Sequence, residues 1–205
     1  MSQRDLLTDP CWQGHDLGHP LPDSLHAVSV ALPRWRDVVA YEENDPGCRS
    51  LLRAVYPRFG FHPLVAELAS SALITTQCPE GFQAWPYPTD AAAAAALAHC
   101  QRVSPKAIAR VVSHHHLPVL LTDADASAAA KAFWQHAGLG VSSRQAAIAL
   151  SHATAPPAAE GEQASALIRA RLNAIYDCGN DSISLQPSGM AALHSALRLV
   201  DDLAP

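Results

Sequence analysis

Apolar residues recur along this chain with two different periods, and the switches between them mark its elements. In "HAVSVAL", Val28, Val30 and Leu32 alternate with smaller or polar residues, the period-two pattern of a strand with one buried face. After Pro33, "RWRDVVAYEE" changes to the spacing of a short helix. Pro63, well suited to a first helical turn, opens another helix through "PLVAELASSALI". Thr89 or Asp90 caps an alanine-rich helix ending near Cys100. "ARVVS" and "LPVLLTD" predict strands. "ASAAAKAFWQHAG" predicts a helix stopped by Gly138, and "SSRQAAIAL" one that starts with Ser142 and Gln145 in capping-box spacing.

These elements divide the chain. Residues 1–25, rich in Pro, Gly, Asp and His and without periodicity, predict an irregular arm lying on a surface or a neighbour. Residues 26–152 form a mixed α/β region. "ATAPPAAEGEQAS", 153–165, is a Pro/Ala/Glu linker without core-forming residues. A helix, "ALIRARLNAIY", a strand, "SISL", and a final helix occupy 166–205. No internal repeat is present.

Composition narrows the classes. At 205 residues, 49% apolar, with a formal charge of -5, the chain buries one sizeable domain or two small ones. The start, "MSQRDLLTDPCW", has no basic segment before an apolar run, and the longest such run, Ala91 to Ala98, is too short to span a bilayer. A cytoplasmic protein with no membrane partner is expected. Five cysteines, without a CxxC pair, suggest reduced thiols rather than a disulfide framework or a zinc ribbon. Fourteen thinly spread Lys and Arg give no footprint for nucleic acid.

The clearest candidate chemistry is "QPSGMAALHSAL", 186–197. A strand leading into Pro187, Ser188 and Gly189, then a helix with Leu193, Leu197 and Val200 on one face, aims free backbone N–H groups at a pocket. Ser188 can cap the helix and offer its hydroxyl, and Gly189 lets an anion approach the backbone. An ordinary capped helix satisfies the same pattern. Elsewhere, His114, His115 and His116 lie between two strand-like runs with no Cys or carboxylate pair at zinc-ligand spacing, so solvent-exposed histidines and no metal are expected. "GLGVSS" lacks the third glycine of a dinucleotide fingerprint, and "EEND" reads as a solvated helix end.

"PSGMAALHSAL" resembles the Ser-Gly-Met turn of the Cys/Met-metabolism family of pyridoxal-phosphate (PLP) enzymes. "HAVSVALPRWRDVVAYEENDP", "YPRFGFHPLV" and "FWQHAGLGVSSRQAAIAL" together resemble the amino-terminal half of fungal-type cystathionine γ-synthases. The similar blocks cover most of residues 26–200, apart from the linker and much of 75–110. The resemblance implies an α/β fold whose amino-terminal region precedes the incomplete start of a PLP fold-type I, aminotransferase-like domain. It implies that Ser188, Gly189 and Met190 hold the cofactor phosphate. It also implies that Tyr56 and Arg58, in the family's Y-x-R-x-x-N-P element, present a phenol and a guanidinium to the phosphate of a neighbouring subunit. His62 stands where Asn is usual. Without the resemblance, Tyr56 and Arg58 read as a buried aromatic beside a surface salt bridge.

In such enzymes a lysine carries PLP and an aspartate holds the pyridine nitrogen protonated, both well after the Ser-Gly-Met helix. The only lysines here, Lys106 and Lys131, lie upstream of it in unlike contexts. The expectation is a phosphate cradle and an intersubunit arm without a catalytic centre, so no catalytic residue is assigned and PLP binding to these residues alone is weak or absent. The complete enzyme, by resemblance, is a homo-oligomer of methionine and cysteine transsulfuration, joining an activated homoserine ester to cysteine as cystathionine; its partners are small amino-acid substrates. A related γ-lyase or sulfhydrylase uses the same frame. A non-catalytic interaction module pairing with a full-length partner is the reading from a different class.

Overall fold

The computed structural model describes residues 4–56 and 59–203. A 3-10 turn (Gly14–Asp16) leads to a two-stranded antiparallel ribbon, β1 (Pro20–Leu21) with β2 (Ser29–Val30), and then to helices α1 (Trp35–Glu42) and α2 (Pro46–Leu51). The central part runs α3 (Pro63–Thr75), β3 (Gln83–Pro86), α4 (Asp90–Val103), β4 (Ala109–His114), β5 (Leu117–Thr122), α5 (Ala124–Ala137) and α6 (Ser143–Ala149). Helices α7 (Ala158–Tyr176) and α8 (Gly189–Leu203) complete the α/β fold.

The sheet is antiparallel in the order β3-β5-β4, so the most apolar strand lies in the middle. Its alternation separates two cores. Val119 and Leu121 join Ala84 against Ala69 and Ala72 of α3. Leu120 joins Trp85 and the alanine faces of α4 and α5. Three layers result, with α3 on one side and the α4/α5 pair on the other, and α6 packed on α3 through Leu64, Val65, Leu68, Ala146 and Ala147. Small alanines let α4 and α5 approach closely, and the space left is filled by aromatic rings. Phe61 meets Trp85 and Trp134 edge-on at 5.4 and 4.8 Å, while Trp85 Nε1 donates to Thr122 Oγ1 at 3.1 Å. A buried indole N–H is thereby satisfied.

The helix ends follow their side chains. Thr89 Oγ1 accepts from the Ala92 amide and Asp123 Oδ1 from the Ala126 amide, while Ser142 and Gln145 exchange hydrogen bonds as a capping box. Gly138, at φ +65°, closes α5 in the left-handed region.

Several expectations need correction. In the first strand, the buried residues are Ala27 and Ala31, while Val28 is exposed and Val30 and Leu32 are half-buried. The ribbon is only two residues long on each side, too short for side-chain size to choose the face. Within the arm Arg4 donates to Asp16 Oδ1 at 2.6 Å, and the Ala31 amide donates to the His19 carbonyl. Beyond the "EEND" run lies a further helix, α2, capped by Asp45, whose side chain accepts the Cys48 amide. Strand β3 lies between the two helices expected at 63–74 and 89–100, where the sequence pattern predicts no element. Its Pro86 breaks the usual strand signal, yet sits on a sheet edge, where proline is tolerated. "SISL" is not a strand; residues 183–186 are irregular after a 3-10 turn at Asn180–Ser182, because no strand of the described residues lies beside them. Helix α7 begins at Ala158 and takes in most of the linker, whose Ala, Glu and Gln residues are good helix formers. His114 is buried and its Nε2 bonds Ser71 Oγ at 3.0 Å, while His115 and His116 are exposed at the β4–β5 turn with φ +48° and +62°.

Candidate functional site

The turn before α8 is built by Ser188. Its hydroxyl oxygen accepts the Ala191 amide at 3.1 Å and its carbonyl accepts the Ala192 amide at 3.0 Å. With those two amides used, the Gly189 and Met190 N–H groups have no acceptor among the described residues, since the first amides of a helix have no partner within it. Around Gly189 the space is open: a Cβ there would meet nothing within 4 Å. Two free amides and the positive end of a 15-residue helix make a local anion-binding geometry.

The third donor is already committed. Ser188 Oγ donates to the Gly138 carbonyl at 3.1 Å, so the start of α8 is seated on the end of α5. The fit is tight: a Cβ on Gly138 would lie 2.6 Å from Ser188 Oγ, 2.6 Å from Met190 Cβ and 2.8 Å from the Ala191 amide nitrogen. Ala191 is fully buried in this joint, and the Phe133 and His194 rings meet edge-on at 5.8 Å beside it. Sequence reasoning assigned Gly138 only the stop of α5. Its second task, giving way to Ser188, has no local signature, because the two residues lie 50 positions apart. A cleft of about 410 Å³ runs from the start of α4 along α8, with His194 and Arg198 in its lining. Arg198 lies nine residues beyond Gly189, roughly 13 Å along the helix, so it does not serve the turn.

The other expected cofactor contact is separate. Tyr56 is 52% exposed with its ring 5.8 Å from that of Phe59, rather than a buried aromatic, and no hydrogen bond joins its phenol to the Ser188 turn among the described residues. Arg58 lies outside the described residues. His62, in the Asn position of the same element, is buried and accepts the Leu64 amide on Nδ1 at 3.2 Å, which caps α3. Burial, and next the His26 ring 6.5 Å away, hold the His62 pKa below the usual imidazole value. Among the described residues no group of three or more His, Cys, Asp or Glu is arranged to hold a metal ion, and no helix is long and apolar enough to cross a membrane.

Residues 64–142, the span from α3 through the layered sheet to the start of α6, match the model of the fungal trans-sulfuration enzyme N-terminal domain. They belong to that family. The trans-sulfuration domain thus coincides with the three-layer core, and its last residues adjoin the Gly138 joint. The chain is 32% identical over 190 residues to L-2-amino-4-chloropent-4-enoate dechlorinase/desaturase of Streptantibioticus cattleyicolor, covering 90% of this chain and 37% of that protein. It is 28% identical over 156 residues to a cystathionine γ-synthase of Neurospora crassa, covering 64% of this chain and 25% of that enzyme. A cystathionine γ-synthase-like protein of Aspergillus thermomutatus is 30% identical over 154 residues, 66% of this chain and 26% of its own length. The chain therefore spans little more than a third of the first of these relatives and about a quarter of the other two. No solved structure matches it significantly. The family is PLP-dependent. The donor chemistry at Ser188, Gly189 and Met190 fits a phosphate monoester in kind, with two amides free and a hydroxyl turned toward α5.

Proposed function

We propose that these residues are the amino-terminal portion of a cystathionine γ-synthase-like, PLP-dependent enzyme of transsulfuration. The observation that carries this reading is an amide-lined Ser-Gly-Met turn seated directly on a trans-sulfuration N-terminal domain. PLP, when bound, would supply an electron sink for the carbanion formed at the amino-bearing carbon. This chain's residues bind and orient it. The Gly189 and Met190 amides and the Ser188 hydroxyl hold the phosphate at the start of α8. Tyr56, exposed on its loop, and Arg58 serve the phosphate of a neighbouring subunit in a homo-oligomer. Residues 153–165, the last eight of them in α7, separate the 26–152 region from the segment at 166–205 that begins the PLP domain.

The proposed reaction takes an activated homoserine ester and cysteine. The Cγ–O bond of the ester breaks, the cysteine sulfur forms a new bond at Cγ, and the acid leaves with the proton from the thiol. A second reading has one observation behind it: the relative that aligns with 90% of this chain is named as a dechlorinase/desaturase of an L-2-amino-4-chloro acid. Departure of a leaving group from Cγ is common to both, so γ-elimination is the alternative outcome.

The test is the gene beyond codon 205 together with the product it encodes. An Asp and a Ser/Thr-x-x-Lys block in the continuing frame, and cystathionine formed from a homoserine ester and cysteine, support the synthase. Release of the leaving group without uptake of cysteine supports the eliminating enzyme. A stop at that point, with no cystathionine formed and binding to a full-length relative, sinks both in favour of an interaction module. The 205-residue chain by itself is expected to form no cystathionine, because neither Lys106 nor Lys131 stands near the Ser188 turn in sequence.

A further inference from the structure

Ser188 has one proton to give. A serine hydroxyl carries a single donor and two acceptor lone pairs. Here the proton goes to the Gly138 carbonyl at 3.1 Å and one lone pair receives the Ala191 amide at 3.1 Å. A phosphate dianion offers only acceptors, so in this arrangement Ser188 has nothing to bond it with. The electrostatics agree with that count. Gly138 ends α5, so its carbonyl belongs to the negative end of a 14-residue helix, placed against the positive end of α8. A phosphate drawn to the same amides meets that negative end. The steric facts point the same way, since Gly138 admits Ser188 only for want of a Cβ.

We infer that the Gly138 carbonyl and the cofactor phosphate compete for the Ser188 hydroxyl, so that the α5–α8 joint is a latch which opens when the turn takes up phosphate. This rests on the proposed cofactor reading. Releasing the Ser188 hydroxyl costs little, because Gly138 is half-buried and Ser188 exposed, so water can replace the lost hydrogen bond at the carbonyl, and the opening is limited by the buried Ala191 and the Phe133–His194 contact. The consequence is reciprocal: whatever holds the N-terminal domain against α8 weakens phosphate binding, and phosphate loosens that docking.

The test adds PLP to the 205-residue chain, with pyridoxal as the control lacking phosphate. Binding is measured by 31P NMR and backbone opening by hydrogen–deuterium exchange. PLP is expected to slow exchange at residues 189–190 while speeding it at the end of α5, residues 134–140, and pyridoxal to do neither. Gly138→Ala, which drives a Cβ into the joint, is expected to bind PLP about fivefold more tightly, the worth of one released neutral hydrogen bond. Ser188→Ala is expected to speed exchange at the end of α5 without any gain in PLP affinity. PLP that protects both segments together, or binds Gly138→Ala no better than the parent chain, overturns the latch and leaves the cofactor reading standing. Absence of protection at 189–190 at millimolar PLP, in the parent chain and in Gly138→Ala alike, overturns the latch. If Gly138→Ala does not fold, by circular dichroism, the exchange pattern of the parent chain decides.

Discussion

His62 Nδ1 accepts the Leu64 amide hydrogen at 3.2 Å, so an imidazole caps the helix that packs into two of the three buried clusters. Accepting on Nδ1 requires the neutral tautomer with its proton on Nε2, and the ring is only 5% exposed. The motif resemblance puts Asn at this position, and the structure explains the exchange, since both side chains offer an acceptor to the Leu64 amide, the first N–H of α3 after Pro63. His62→Asn is therefore expected to keep the cap. His62→Ala is expected to lower stability by about 1 kcal/mol for the cap alone, with a further loss for the space vacated. Urea unfolding of the two variants checks this, and equal losses in both would show that the ring acts only by filling space.

The same ring sets a pH dependence. Burial first, and the His26 ring second, depress its folded pKa below the unfolded value near 6.5. Below that value the unfolded chain binds a proton that the folded chain refuses, so stability falls as pH drops from about 6.5. His114, depressed chiefly by burial, acts in the same direction. Asp16 and Asp37 act in a lower window. Arg4 and Arg34 donate to their carboxylates at 2.6 and 2.7 Å and hold both pKa values below the usual carboxylate range. Their contribution is present above about pH 4 and is lost as pH falls through the folded values. Thermal melts from pH 8 to 3 are expected to show two descending steps. His62→Asn should reduce the first step and leave the second. A single step below pH 4, unchanged in that variant, would contradict the role of His62.

Leu121 sits on the α3 face of the central strand with no exposed surface. Leu121→Ala is expected to cost about 2 to 5 kcal/mol, because the neighbouring Ala69, Ala72 and Ala84 are too small to fill the hole it leaves. Denaturant melts measure the loss, and a value under about 1 kcal/mol would mean that α3 does not pack there.

How much of this was legible in the sequence depends on whether a residue's partner was near in the chain. Thr89, Ser142 and Gly138 act on neighbours within a few positions, and their caps follow the sequence reading. The continuous apolar run at 117–121 becomes a central strand because such a run satisfies both faces of a sheet. Strand β3 could not be read, since its register with β5 sets Pro86 opposite Val119 from a distant segment. The Ser188 turn was legible as a capped helix start, but its contact with Gly138 was not. Conversely, "SISL" has the local character of a strand and lacks the neighbour that would make it one.

Residues 151–164 are all exposed, and α7 has no buried residue. The hydrogen bond that Arg169 makes, at 3.4 Å, goes to the Ile183 carbonyl and so stays outside the layered core. Limited proteolysis is therefore expected to cut first between residues 151 and 176, releasing a core that ends near His152. Helix formation over 158–165 slows cleavage there and focuses it on 153–157. A first cut within 110–150 would mean that residues 26–152 are not a unit.

Helix α8 turns its apolar side outward. Leu193, Leu197 and Val200, at helical spacing on one face, are 53%, 56% and 62% exposed, and Leu199 beside them is 63% exposed. A contiguous apolar stripe of this kind gains free energy from any surface that covers it, at about 25 cal/mol per Å² removed from water. The 205-residue chain is expected to self-associate through it as concentration rises and to bind a hydrophobic dye such as ANS. Leu197→Glu with Val200→Gln should reduce light scattering and dye binding. The same pair should leave the melting temperature within about 2 °C, because surface changes away from buried contacts are typically within 0.5 kcal/mol. Undiminished association in that variant would place the sticky surface elsewhere, with the exposed Leu167, Ile168, Ile175 and Tyr176 of α7 next to be changed. A large fall in melting temperature would instead show that the α8 face is already buried in the isolated chain.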